Sequence, residues 1–248
     1  DLTGRIALVT GANSGIGFAT ATELAKRNAT VYLLCRNPKR AEDAVERIVA
    51  QTQSKTVFWK QVDLSDLQSV RTASQQLLES IEGSIDIFIH NAGVLPLEES
   101  RSVQGYELTL ATNLLGHHLM TRLLWSKLTG RMILVSSGGM YMAPLSTSQL
   151  FTEQFPKFDG VRRYALTKRA QVALTEVYAL MGASQGLLVH CMHPGWVATP
   201  GVEYSLPGFW KRMEHRLRTP LQGADTILWL TIADEPTKSS GKFWFDRI

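Results

Sequence analysis

Thr10-Gly11-Ala12-Asn13-Ser14-Gly15-Ile16-Gly17 stands between an apolar run, Ile6-Ala7-Leu8-Val9, and an Ala/Leu/Glu-rich stretch with helical spacing. Strand, glycine turn and helix in that order bring backbone N–H groups and a helix N-terminus to one place, which suits a pyrophosphate. Gly11 suits a tight turn, Gly15 removes a side chain where a phosphate must approach, and Gly17 lets the helix lie close to the strand. The spacing is Gly-x-x-x-Gly-x-Gly, neither the G-x-G-x-x-G fingerprint nor a loop ending in Gly-Lys-Ser/Thr. Three glycines after a strand also read as a plain turn. The rest of the chain decides between the two.

Outward from this stretch, apolar strand-like runs alternate with helical patterns. Thr30–Cys35 reads as a second strand, and Asn37-Pro38 as a helix start in which Asn caps and Pro takes the first helical position. A third strand is expected over Thr56–Val62, a helix over Asp66–Ile81 and a fourth strand over Ile85–His90. A long helix is expected from about Val103 to Leu128, then a strand at Met132–Val135 and an irregular stretch over 138–161. The spacing predicts a helix over Arg162–Met181, a strand over Leu187–Met192, a helix capped by Thr219-Pro220 and running to Ile232, and a last strand at Lys242–Phe245. Near-continuous apolar strands separated by helices imply an α/β fold, a doubly wound parallel sheet with helices on both faces. No linker, repeat or low-complexity tract divides the 248 residues, so one domain spanning 1–248 is expected.

Composition narrows the function classes. Hydrophobic residues make up 44% and charged residues 19%, enough to fill a sizeable core. The net charge of +4 is small and scattered, and no basic run interleaves with aromatics, which argues against nucleic acid. No run of ~18 apolar residues is present to span a membrane. Cys35 and Cys191 lie in apolar runs and form no C-x-x-C pair, so buried reduced thiols and an intracellular, cytoplasmic setting are expected.

The second strand ends Leu34-Cys35-Arg36-Asn37, without the acid that usually holds the ribose 2′-OH of a bound dinucleotide. An arginine there pairs with a 2′-phosphate, which an acid would repel. A hydrogen bond to a charged group contributes ~1.5–3 kcal/mol, roughly ten- to hundredfold in affinity. NADP(H) is therefore expected over NAD(H), a solvated surface arginine being the plainer alternative. Asp63-Leu64 follows the third strand, where the acid can accept from an adenine amino group or cap a helix. Asn91-Ala92-Gly93 follows the fourth, small enough to let the backbone pass a ribose.

Tyr164 and Lys168 are spaced i and i+4, on one face of a helix. A free phenol has a pKa of ~10, and lowering it by ~3 units takes ~4 kcal/mol of preferential phenolate stabilisation. A nearby ammonium and an oxidised nicotinamide carry charge of the right sign. Ser137, at the end of a strand, can hydrogen-bond the same substrate oxygen. Asn113 is a poor helix former inside a long helix, where its amide and a local distortion could hold a water reaching Lys168.

Together, Thr10–Gly17, Asn91-Ala92-Gly93, Asn113, Ser137, Tyr164-x-x-x-Lys168 and Pro194-Gly195-x-Val197-x-Thr199 resemble the short-chain dehydrogenases/reductases in order and spacing over essentially the whole chain. The Gly-Ala-Asn-Ser-Gly-Ile-Gly turn and the Cys-Arg strand ending resemble a retinol-dehydrogenase-like group within them. The resemblance implies hydride transfer between NADP(H) and a carbonyl/alcohol pair, with Tyr164 as general acid/base and Ser137 stabilising the substrate oxygen. It implies that Lys168 holds the nicotinamide ribose and biases Tyr164, and that Asn113 keeps a relay water. It further implies cofactor contacts from Gly11, Asn13, Ser14, Gly15, Ile16, Gly17, Arg36, Asp63, Leu64, Asn91, Ala92 and Gly93. Tyr164, Lys168, Pro194, Gly195, Val197 and Thr199 complete that set. A homodimer or homotetramer, associating through the helices around 103–128 and 162–181, is implied as well. Ser137 and Tyr164 stand 27 positions apart, a longer separation than most members show, so the intervening chain must loop out and return. Ser136 and Ser137 point to opposite faces of a strand, and the resemblance favours Ser137.

Leu206–Arg218 carries Phe209, Trp210, Met213 and Leu217 as an apolar stripe among basic residues. A substrate lid at about 200–219 over a lipophilic carbonyl or alcohol is expected, with Met140, Tyr141 and Met142 on the opposite wall. A helix packed on the core and a peripheral membrane contact are the competing readings. His190/His193 and His117/His118 diverge in direction, and no metal site is expected. The rival function is a catalytically silent dinucleotide-binding protein acting through a partner.

Overall fold

The computed structural model describes residues 1–151 and 157–248. Seven parallel strands form one sheet in the order β3-β2-β1-β4-β5-β6-β7. In chain order these are β1 Ile6–Thr10, β2 Thr30–Cys35, β3 Val57–Gln61, β4 Ile85–His90, β5 Leu128–Val135, β6 Leu188–His193 and β7 Lys242–Phe245. The order reverses between β1 and β4, which opens a crevice above their carboxyl ends. The helices are α1 Gly15–Ala25, α2 Pro38–Thr52, α3 Leu67–Ser80, α4 Leu108–Leu110, α5 His117–Leu124, α6 Thr147–Phe151, α7 Gly160–Gly182, α8 Pro200–Ser205, α9 Pro207–Met213 and α10 Pro220–Ile232. A π-helical turn, Ala111–Gly116, joins α4 to α5.

Alternate strand residues serve the two faces. Ala7, Val9, Val31 and Leu33 pack under α1, α2 and α10, whereas Leu8, Leu34, Phe88 and Met132 pack under α3, α5 and α7. Each of the larger ones, Val, Leu, Phe or Met, contributes ~1.5–3 kcal/mol on full burial. Caps hold the helix starts as the spacing predicts. Asn37 accepts from the Arg40 N–H, and Thr219 and Gln222 form a reciprocal capping box.

The long helix expected from Val103 starts later. Gly105, at φ +83°, turns the chain back so that Ser102 N–H bonds Tyr106 O, and the Glu107 carboxylate then accepts from Thr109 and Leu110 N–H. Glu107 is thus the cap, and Val103 is left exposed. At its other end the helix stops before Leu128, where β5 begins. Within the stretch expected to be irregular, Gly138–Met142 form a 3₁₀ turn and Thr147–Phe151 a short helix. The part of that stretch at 152–156 lies outside the described residues.

Candidate active site

The glycine turn sits at the carboxyl end of β1. Gly11 (φ +65°) and Gly15 (φ +55°) are left-handed, which a side chain would resist. A Cβ at Gly17 would lie 2.4 Å from Asn91 Nδ2 and 2.5 Å from Gly11 O, so its absence lets α1 close onto the turn. Ser14 is the N-cap of α1 yet makes no side-chain cap bond. The first N–H groups of α1 therefore meet no cap and suit an anion. A Cβ at Gly15 would come 3.1 Å from Thr199 Cγ2, and one at Gly223 would press on both Val197 and Ile16. The loop Pro194–Thr199 is in this way folded over the turn, although it is far away in sequence. These small-residue approaches and open amides fit a dinucleotide.

Thr10 and Asn91 stitch the turn to β4. Thr10 Oγ1 accepts from Asn91 N–H (3.0 Å) and Ala92 N–H (2.9 Å), and Asn91 Nδ2 donates to Thr10 O (2.9 Å). With both lone pairs engaged, the Thr10 hydroxyl proton has two acceptors in reach, Ile89 O at 3.4 Å and the nearer His117 Nε2 at 3.0 Å. His117 then carries its own proton on Nδ1, toward Asn113 O at 3.4 Å. His117 also stacks on His90, with ring centroids 4.8 Å apart. His117 is not among the site residues that the sequence suggests. Its i, i+4 spacing from Asn113 was the available signal.

Asn113 lies in the π-helical turn, fully buried, so the expected local distortion is present. π turns are frequent where a helix serves a site. Its side-chain amide is engaged with Val94, whose N–H donates to Oδ1 (2.8 Å) and whose carbonyl accepts from Nδ2 (3.0 Å). Its backbone carbonyl accepts from Gln171 Nε2 at 2.8 Å.

Ser136 and Ser137 diverge, as a strand end requires. Ser136 is buried and donates to Lys168 O (2.9 Å). Ser137 caps the following 3₁₀ turn, accepting from Gly139 N–H (3.1 Å), and its Oγ faces Tyr164, so that a Cβ on Gly139 would lie 3.5 Å from the one and 3.6 Å from the ring of the other. The long intervening chain thus returns Tyr164, on α7, to Ser137. Burial raises the Tyr164 pKa and the Ser137 hydroxyl partly offsets it, so the phenol is protonated near neutrality. Lys168 Nζ lies 5.4 Å from the Tyr164 ring centroid and donates to Val135 O at 2.7 Å. Burial pulls its pKa to about 8. A Cβ on Gly93 would come within 3.4 Å of this ammonium, so the Asn91–Gly93 loop runs directly past it.

At the far side of the crevice Arg36 is exposed, its Nη1 4.0 Å from Asp63 Oδ2. Asp63 Oδ1 accepts from Ser65 N–H and Oγ, a local turn, and the cap of α3 is Asp66. Leu64 is buried, its carbonyl against Gly116. Gly195 is left-handed (φ +78°), beside Arg218.

Helices α8 and α9 and a 3₁₀ turn at Glu214–Arg216 occupy the expected lid. None of Phe209, Trp210, Met213 or Leu217 is fully buried. A cavity of about 430 Å³ lies beside the end of this segment, which reaches it through Arg216 and Arg218 and not through the apolar stripe, with Gly138, Tyr141, His193, Trp196, Phe243 and Phe245 among its walls. Met142 stays exposed, and Met140 is buried against Arg169 rather than in the cavity wall. Cys35 and Cys191 are buried and free, and burial raises both thiols to about 11. Among the described residues no group of His, Cys, Asp and Glu could hold a metal. No described helix is long and apolar enough to cross a membrane.

The family model described as short chain dehydrogenase matches residues 5–207. Dehydrogenase/reductase SDR family member 12 of Bos taurus is 43% identical, covering 98% of this chain and 77% of that protein. Retinol dehydrogenase 11 of Mus musculus is 33% identical, covering 99% and 79%. A solved short chain dehydrogenase from Escherichia coli CFT073, described as complexed with NADPH, superposes with a TM-score of 0.80 over 98% of this chain and 96% of that one. Its 24% identity makes this a likeness of fold.

Proposed function

Since the chain belongs to the short chain dehydrogenase family and is an oxidoreductase by that membership, we propose that it interconverts a lipophilic carbonyl compound and its alcohol with NADP(H), using Tyr164 as general acid/base. The observation that carries this reading is the convergence of Ser137, Tyr164 and Lys168 beside the glycine turn and the Asn91–Gly93 loop. When bound, the cofactor supplies the hydride and, once oxidised, a positive charge.

In the reducing direction the Ser137 hydroxyl holds the carbonyl oxygen. The protonated Tyr164 phenol donates its proton to that oxygen as the carbon accepts the hydride, so the C=O becomes a C–H and an O–H. Burial favours the neutral phenol and thereby keeps Tyr164 a proton donor. Lys168, whose depressed pKa keeps its proton exchangeable near pH 8, holds the nicotinamide ribose and stabilises the phenolate formed. Asn113 and Val94 fix the floor beside it. Arg36 takes the 2′-phosphate, exchanging a loose pairing with Asp63 for a charge-assisted one.

The chain acts as one domain, with residues 200–219 as a lid over the cavity. It associates with a second copy along α7, where Val177, Leu180 and Met181 are exposed. Tyr164→Phe removes the phenolic hydroxyl, and with it the transferable proton, while keeping the ring. It should abolish turnover of a carbonyl panel followed by NADPH absorbance, while NADPH binding persists. Retained turnover would overturn the assignment, and NADPH binding without turnover in the unaltered protein would favour the silent binder.

A further inference from the structure

The cavity bounded by the Arg216–Arg218 end of the lid segment adjoins the reactive centre through the Gly138–Gly139 backbone. Gly138 lines it and follows Ser137, and a Cβ on the next residue, Gly139, would stand 3.5 Å from Ser137 Oγ and 3.6 Å from the Tyr164 ring. Its volume of about 430 Å³ falls in the range of small-molecule sites.

The walls are flat rings fixed by their neighbours. Tyr141 meets Phe243 edge-on at 6.2 Å, Trp196 leans on Phe209 at 4.5 Å, and His193 stacks on Phe245 at 5.0 Å. Such faces pack a planar body by offset stacking and T-shaped contact. Of the nine lining residues none is acidic. Two are arginines, and they differ. Arg218 is held by Asp246 through two hydrogen bonds of 2.5 and 2.6 Å, so its charge is spent. Arg216, in the last turn of the lid, has no carboxylate partner among the described residues and lines the cavity with its charge unspent. His193 adds a neutral donor. Its Nδ1 accepts from Gly138 N–H at 2.9 Å, which places its proton on Nε2.

We propose that this cavity takes an aromatic carbonyl substrate bearing a carboxylate remote from the reacting carbon. The rings hold its body, His193 Nε2–H lies along its edge, and Arg216 binds the carboxylate. The proposal rests on the oxidoreductase reading above and names the substrate class of that site.

The test compares 6-formyl-2-naphthoate, its methyl ester and the ring-free 10-oxodecanoate with NADPH. The naphthoate should exceed its ester in kcat/KM by roughly tenfold, the lower end of what a charge-assisted hydrogen bond supplies. Arg216→Gln should bring that ratio near one. The aliphatic acid should run slower than the aromatic one. An ester as good as the acid, or a ratio unmoved in Arg216→Gln, overturns the anion contact, and equal rates for the two acids overturn the aromatic one. If no carbonyl turns over, the oxidoreductase reading fails, and calorimetric binding of 2-naphthoate against 2-naphthamide decides the site by itself. Preference for the naphthoate that Arg216→Gln abolishes sustains the site, and equal or absent binding overturns it.

Discussion

Arg36 concentrates the coenzyme question in one side chain. It stands at the end of β2, largely exposed, with Asp63 Oδ2 at 4.0 Å as its nearest acid. An ion pair at that distance and exposure is worth little, so a 2′-phosphate competes for the guanidinium with little opposition. Arg36→Asp replaces attraction by repulsion. The ratio of kcat/KM for NADPH over NADH should fall by roughly ten- to hundredfold, the worth of one charge-assisted hydrogen bond. An unchanged ratio in steady-state kinetics would leave Arg36 as surface. Lys39 and Arg40 are also exposed, but they lie in the first turn of α2 and not at the strand end.

Among the elements, the π-helical turn Ala111–Gly116 organises the floor of the site. It brings Asn113 against Val94 and lets its carbonyl meet Gln171 of α7. Gly116 closes the turn, and a Cβ there would lie 2.0 Å from the backbone oxygen of Leu64, which cannot yield without moving the β3–α3 loop. Gly116→Ala should therefore destabilise the protein by about 3 kcal/mol or more. Gly208, inside α9 of the lid, has open space around its Cβ position. Gly208→Ala should be neutral or stabilising by up to ~1 kcal/mol, because it gains helix propensity without a clash. Urea midpoints of the two variants check both, and matching midpoints would contradict the packing argument. The helix starts at Asn37 and Thr219 were legible, whereas the partners of this turn were not. Caps such as Asn37 and Thr219 act within three residues, whereas the π register serves partners 19 and 58 positions away.

At the scale of the molecule, acid stability follows from the buried histidines. His90 and His117 are enclosed between β4 and α5, and burial holds His90 well below its ordinary value and His117 at about 3. The unfolded chain titrates near 6.5, so below that pH the unfolded state takes up protons that the folded state refuses. Stability is therefore lost as pH falls from about 6.5 toward 3, by up to about 1.4 kcal/mol per pH unit for each of these two groups. Asp66 and Asp246, held low by hydrogen bonds from Gln104 and Arg218, act only below about pH 4. Urea denaturation at pH 7 and pH 5 should show a clear fall in midpoint at the lower pH, and equal midpoints would sink the account.

Taken alone, the sequence determined what repeats along the chain or acts between near neighbours. The alternation of apolar strands with helical spacing specified a doubly wound sheet, because each period buries one face. The bounds of β2, β4 and β7 followed from their runs, and so did the placement of Tyr164 and Lys168 together on one helix. Tertiary structure decided what depends on the packing of distant segments. It turned Ser137 rather than Ser136 toward Tyr164, since only one face of β5 meets the phenol. It joined Thr10 to His117 across 107 positions, a pairing that no period encodes. And it made a cavity out of positions 138, 193, 216 and 243, residues that meet only because strand ends and lid converge there.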